Sequence, residues 1–166
     1  MSKKGKYIYE WPRPMVSVDI MVFGFFGGKA KLLLIKRGKE PYKGKWAIPG
    51  GFLDIDEELE AAAARELAEE TGLMALELEQ VQTFGSLGRD PRGRQITVAF
   101  MAIAAGKKHK IKAGDDAAQA KWFDIEKLPA DLAFDHNQMS KIGIARLKRK
   151  KSYRLWRESK DRLRSR

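Results

Sequence analysis

Residues 15–24 (Met-Val-Ser-Val-Asp-Ile-Met-Val-Phe-Gly) are apolar and partly alternating, the pattern of a strand, and Gly27-Gly28 follows as a turn. Leu32, Leu33, Leu34 and Ile35 within 31–36 read as a buried second strand, so the two segments form a hairpin. Residues 76–84, 95–105 and 119–124 predict further strands, and 125–128 a short helical turn ahead of Pro129. From about residue 136, Met139, Ile142, Ala145, Tyr153, Trp156 and Leu163 form a broken stripe with helical spacing, one helix or two. The order of strands and helices is that of an α/β protein.

The strongest helix lies between these strands. Residues 57–70 are rich in Ala, Leu and Glu, and Gly72 is placed to end the run in a left-handed turn. Asp54 or Asp56 is positioned to cap it, with Glu57 and Glu58 in the first turn. At about 100° per residue, Ala61, Ala64, Ala68 and Thr71 share a small-residue face suited to lie on a sheet. Glu66, Glu69 and Glu70 gather on the other side, where like charges three and four apart repel. Such a face is either a solvated acidic surface or a binding surface for a hard divalent cation, which takes oxygen ligands.

Composition narrows the class without changing this picture. A chain of 166 residues, 43% hydrophobic, is about one domain with a real core. No apolar run reaches membrane-span length, and polar residues follow Lys3, Lys4 and Lys6 where an export signal would be apolar, so no membrane association and a cytoplasmic location are expected. The absence of cysteine excludes disulfides, thiolate nucleophiles and Cys-ligated zinc. The net charge of +11 is not spread evenly. Residues 141–166 hold twelve Lys or Arg and two acids, a net +10, which leaves about +1 on residues 1–140. A near-neutral folded domain over 1–140 followed by a basic helical extension over 141–166 is therefore expected. Lys148-Arg149-Lys150-Lys151 either contacts phosphates of nucleic acid or belongs to a solvated helix face, and the second reading is preferred.

The function class comes from residues 51–73. Gly51, five residues, Glu57, seven residues, then Arg65-Glu66-Leu67-Ala68-Glu69-Glu70-Thr71-Gly72-Leu73 match every specified position of the Nudix box, which this segment resembles. That resemblance implies a mixed β-sheet sandwiched between α-helices. It also implies water-driven cleavage of a nucleoside diphosphate linked to another group, with Mg²⁺ as cofactor and Mn²⁺ as an alternative. The implied metal ligands are Glu66, Glu69 and Glu70, with the carbonyl of Gly50 from the lead-in at 43–52. Glu57 either binds a further ion or pairs with Arg65. The catalytic residues implied are Glu66, Glu69, Arg65 and Asp116; the general base is either a carboxylate of the box helix or an acid on a later loop, where Asp115 and Asp116 fall. Asp115 and Asp116 are equally readable as cap or turn residues. His109 and His136 read as surface or packing groups.

Three further segments are similar to ADP-ribose pyrophosphatases and their regulatory relatives: 84–94 with Arg89-Asp90-Pro91-Arg92-Gly93, 114–123 with Asp115-Asp116, and 132–137 with Phe134-Asp135-His136. Arg89 and Arg92 offer planar donor forks for phosphate or ribose, although pairing of Arg89 with Asp90 explains the same letters. Trp46 and Phe134 are candidates to stack on adenine. The expected substrate is ADP-ribose or a related nucleoside diphosphate derivative. The rival functions are an RNA 5′-end pyrophosphohydrolase and a nucleic-acid-binding sensor using the basic tail. A transcription regulator is disfavoured because little chain follows residue 138, and a homodimer is expected from the resemblance alone.

Overall fold

The computed structural model describes residues 9–104, 111 and 117–164, the last four by backbone alone. Its element order is β1 (Met15–Phe26), β2 (Lys29–Arg37), β3 (Trp46–Ala47), β4 (Gly50–Phe52), α1 (Leu59–Thr71), β5 (Glu79–Phe84), β6 (Gln95–Ala104), β7 (Ala117–Asp124), α2 (His136–Arg149) and α3 (Lys151–Arg164). The strands form one sheet in the order β3-β2-β1-β6-β5, with β4 also paired to β1 and β7 to β2. It is mixed: β1 and β6 run parallel over ten residue pairs, and the other pairings are antiparallel.

The alternation along β1 explains the layers. Val18, Ile20 and Val22 turn to one face, where they meet Ala62, Ala63 and Leu67 of α1. Met21 and Phe23 turn to the other, where they meet Met139 and Leu147 of α2 and Tyr153 of α3. Helices thus cover both faces, as expected. Gly27 and Gly28, with φ of +60° and +67°, make the β1–β2 turn, a conformation that residues with a Cβ adopt at a cost.

Several expectations shift in detail. The helical stripe of α1 is Ala62, Ala63, Leu67 and Thr71, with Ala61 and Ala64 exposed. The rotation turns Glu70 inward and Glu66 toward β4. Helix α1 begins at Leu59, and neither Asp54 nor Asp56 caps it. The Glu57 carboxylate is committed to Arg65 and to the Asp54 N–H, which tightens the preceding loop and delays the first helical turn. Gly72 ends the helix in the left-handed region, as expected. Strand β5 starts at Glu79 because Leu76 and Leu78 pack against the α1-side core instead of pairing. Residues 125–127 form one turn, closed by the Lys127 N–H to the Asp124 carbonyl.

Helix α2 carries the chain through the expected boundary at residue 140 without a break. Leu147 and Tyr153 are buried in the same core cluster as Met21 and Phe23, and Trp156 stacks on Phe25. The aromatics of the basic segment therefore dock on the body. Among its cations, Arg146 and Lys150 pair with Glu79 on β5, while Lys148, Arg149 and Lys151 are exposed. No helix among the described residues is long and apolar enough to cross a membrane.

Candidate active site

At one end of β1 the sheet opens into a cleft of about 630 Å³, lined from β1, β2, β4, α1 and the loops before β6 and α2. Its acidic side rests on two glycines. Gly50 lies opposite Asp19 and Gly51 opposite Val18 in the β1–β4 pairing. A Cβ on Gly50 would fall 2.1 Å from the Val18 carbonyl oxygen, and one on Gly51 would fall 2.3 Å from Glu66 Oε1. The missing side chains let α1 bring its carboxylates against β4. There the Gly50 N–H donates to Glu70 Oε2 at 2.9 Å.

Burial then sets the charge states. The Glu70 carboxyl is pushed up to about 8, chiefly by desolvation and further by the neighbouring Glu66 and Asp19. Glu66 is raised for the same leading reason, with Arg65 opposing. Arg65 is the hub of this side. Its guanidinium takes both Glu57 oxygens at 2.8 Å, Glu66 Oε1 at 2.7 Å and the Phe52 carbonyl at 3.0 Å. Hydrogen bonding to Arg65 holds Glu57 below the usual carboxylate range. Glu66 and Glu70 thus face the cleft as desolvated oxygen donors, Glu66 with one oxygen on Arg65 and Glu70 held by the Gly50 N–H, and their chemistry fits a hard divalent cation. Among the described residues, no three acidic or histidine side chains are yet grouped closely enough to hold one.

The same cleft also carries cations. Arg37 donates through Nε to the Pro41 carbonyl at 2.7 Å and lies 4.9 Å from the Phe134 ring centre. Burial, and then the charge of Arg92, lower its proton affinity. Arg92 is held by Asp90 and lies over the rings of Phe52 and Phe134, at 4.8 and 5.6 Å. Behind them, Arg89 is 3% exposed and grips both oxygens of Asp135 at 2.9 and 2.7 Å.

The NUDIX domain family model matches residues 13–141, most of the chain and the whole of this cleft. The chain belongs to the Nudix family. It is 43% identical over 128 residues to the ADP-ribose pyrophosphatase of Methanocaldococcus jannaschii, covering 77% of this chain and 72% of that protein. It is 38% identical over 147 residues to the ADPR responsive transcriptional repressor NtrR of Acinetobacter baylyi, which covers 87% of this chain but only 58% of the repressor. Among solved structures, the NUDIX domain of Shewanella oneidensis NrtR complexed with ADP ribose superposes with a TM-score of 0.75 at 32% identity, covering 82% of this chain and 90% of that one. These Nudix relatives thus include both a pyrophosphatase and a repressor.

Within the Nudix cleft the expected residues separate into groups. Glu66, Glu70 and Gly50 come together. Glu69 sits on the rim with its side chain 60% exposed, 3.5 Å from Arg65. Glu57 is engaged by Arg65, the alternative to a ligand role that the sequence left open. Arg92 and Phe134 line the cleft, whereas Arg89 reaches it from a buried ion pair with Asp135; the partner of Asp90 is Arg92. Trp46 lies outside the cleft. Its place on β3 turns it toward β7, edge-on to Phe123 at 4.8 Å. Asp115, Asp116 and His109 lie outside the described residues. His136 is a packing group that also lines the cleft: buried and held neutral by desolvation, it accepts the Ile48 N–H on Nδ1 at 2.9 Å and so fixes the approach to Gly50.

Asp19, Arg37, Ser17 and Gln95 are cleft residues that the sequence reading did not single out. A signal existed for Asp19, a lone acid inside an apolar strand; Arg37 looks like any strand-end cation. The glycine geometry gives a direct prediction. Gly51→Ala is expected to displace the Glu66 carboxylate and lower turnover by roughly 100-fold, the scale of losing one charge-stabilising group. Steady-state rates and a near-native circular dichroism spectrum check it; an unchanged rate would show that Glu66 has room to move.

Proposed function

We propose that this chain hydrolyses the diphosphate of ADP-ribose or a closely related nucleoside diphosphate derivative with Mg²⁺, or Mn²⁺ in its place. For ADP-ribose, the oxygen of water joins one phosphorus, the bond from that phosphorus to the bridging oxygen breaks, and AMP and ribose 5-phosphate leave. The observation that carries this reading is the make-up of the cleft, which brings desolvated Glu66 and Glu70 together with Arg37, Arg92 and Phe134. The likeness to an ADP-ribose pyrophosphatase supports it.

The chemistry assigns each group a task. Glu66 and Glu70, with the Gly50 carbonyl, would hold the divalent ion, which neutralises charge on the diphosphate and lowers the pKa of the attacking water. Arg65 keeps Glu66 oriented and offsets the repulsion among the box carboxylates. Arg92 and Arg37 offer forked donors to anionic or hydroxyl oxygens, and the Phe134 ring lines the cleft beside them. Asp116 remains the proposed base on the resemblance alone.

The likeness to an ADPR-responsive repressor favours a second reading, in which the cleft binds the ligand without turning it over. One experiment separates the two. Purified protein is incubated with ADP-ribose, NADH, dinucleoside polyphosphates and 5′-triphosphate RNA, with Mg²⁺ or Mn²⁺, and products are identified by chromatography. AMP and ribose 5-phosphate as the dominant products are expected. Tight ADP-ribose binding with no product supports the sensor, and turnover confined to RNA ends supports the RNA pyrophosphohydrolase.

A further inference from the structure

Beneath the cleft, the parallel pairing of β1 with β6 builds a short polar floor. Ser17 is in register with Thr97 and Asp19 with Ala99, so that Ser17, Asp19, Gln95 and Thr97 all turn to the face that Met21, Phe23, Ala99 and Met101 continue as apolar core beneath α2. Thr97 donates its hydroxyl to Asp19 Oδ2 at 2.6 Å, and His136 Nε2 stands 3.5 Å from Asp19 Oδ1. Both oxygens of Asp19 are thereby faced by polar hydrogens. The outer pair is different. Gln95 Nε2 donates to Ser17 Oγ at 2.7 Å, but Gln95 Oε1 has no partner among the described residues, although Gln95 is only 4% exposed and lines the cleft.

Folded proteins rarely leave a buried amide oxygen without a donor, because the desolvation is then uncompensated. Turning the amide over does not remove the vacancy. The oxygen would then face Ser17, and the amide nitrogen would be the open end. A hydroxyl group satisfies either arrangement, since it both donates and accepts. Position selects the kind of hydroxyl. Ser17 lies two residues along β1 from Asp19, about 7 Å at the usual strand rise. Asp19 in turn sits opposite Gly50, whose N–H holds Glu70. A span of about 7 Å is roughly that of a sugar ring, so a sugar carried by a diphosphate bound near Asp19 and Glu70 can reach Ser17 and Gln95 within the same cleft.

We infer that the Ser17–Gln95 pair is a subsite for one sugar hydroxyl of the substrate, which hydrogen-bonds to the open end of the Gln95 amide. This rests on the function proposed above and specifies it: the substrate class is a diphosphate carrying a sugar with a free hydroxyl at that place. Gln95 is then a specificity residue, because an analogue lacking the hydroxyl leaves the buried amide unpaired.

The test uses Gln95→Met, which keeps length and bulk but has no amide. Binding is measured by calorimetry with Mg²⁺, using ADP-ribose whose diphosphate bridge is a methylene group and is not cleaved, and the same compound lacking one hydroxyl at a time; hydrolysis of ADP-ribose itself is assayed separately. In the wild type, removal of one particular hydroxyl is expected to weaken binding about tenfold, the loss of one hydrogen bond. Gln95→Met should show that about tenfold loss with the complete methylene compound and no further loss with the matching analogue. Its melting temperature carries two opposed effects, the unpaired amide oxygen removed and the Ser17 hydroxyl deprived of its donor, so binding is the deciding readout. Wild-type affinity in the variant, or retained discrimination against the analogue, overturns the inference. So does a lower melting temperature with unchanged binding, which would assign Gln95 to the fold or to a bound water only. A wild type that binds these ligands without hydrolysing ADP-ribose defeats the hydrolase reading and leaves the subsite standing. A wild type that binds none of them defeats both.

Discussion

Glu70→Gln is expected to lower turnover roughly 100- to 1000-fold, the range for removing one preorganised charge-stabilising group, while stabilising the metal-free protein above neutral pH. The two effects share one cause. Burial and the nearby Glu66 and Asp19 push the Glu70 carboxyl up to about 8 in the fold, against 4.5 as its ordinary value. A folded-state pKa above the unfolded one means that the stability due to this group is complete below about pH 4.5 and is lost as the pH rises through about 8. The ionised carboxylate is therefore a cost to the metal-free protein, on the order of 5 kcal/mol at most. Glutamine keeps an acceptor for the Gly50 N–H and carries no charge. Thermal melts of metal-free protein should decline from pH 5 to pH 8 in the wild type and stay flatter in the variant, within the approximate window set by those two values. Added Mg²⁺ should stabilise the wild type more strongly at the upper end of that range, because ion and proton compete for the same oxygens. A near wild-type rate in the variant would remove Glu70 from the chemistry, and parallel melting profiles would remove the strained carboxylate.

Arg89→Ala is expected to destabilise the protein by about 3–5 kcal/mol, the usual consequence of stripping one partner from a buried ion pair. The Arg89 side chain is 3% exposed and that of Asp135 is 17% exposed. Asp135 occupies the N-cap position of α2 but makes no side-chain cap hydrogen bond, its carboxylate being taken by Arg89. Without Arg89 a desolvated anion remains at the start of the helix that covers one face of the sheet. Urea unfolding measures the loss, and the Arg89→Met/Asp135→Asn double variant should recover part of it by removing the orphaned charge. If stability falls by less than about 1 kcal/mol while KM for substrate rises, Arg89 serves the ligand and not the fold.

These two residues differ in how far the sequence revealed them. Glu70 is legible because the chemistry of the box is local: its acids, Arg65 and the flanking glycines fall within one loop and one helix, so their spacing alone brings them near each other. The helical stripe was misjudged by a fraction of a turn. Which face of an amphipathic helix docks depends on the surface it meets, and here the gap left by Gly50 and Gly51 draws Glu66 and Glu70 inward. Arg89 stands in a recognisable motif, yet its partner Asp135 is 46 residues away and could not be read from the motif, which suggested Asp90. Trp46 lost its place in the cleft for a similar reason, since strand alternation leaves two faces and only the pairing of β3 with β2 decides which one it takes.

The sequence by itself determined the family, the α/β order of elements and the acidic helix, because each depends on short-range spacing and on the period of apolar positions. The tertiary structure decided which carboxylates are desolvated, that α2 and α3 belong to the core although their surface is basic, and that Asp19, Arg37, Ser17 and Gln95 line the cleft. Those outcomes depend on strands distant in the chain lying side by side in one register, and on burial, which is a property of the assembled fold and not of any segment.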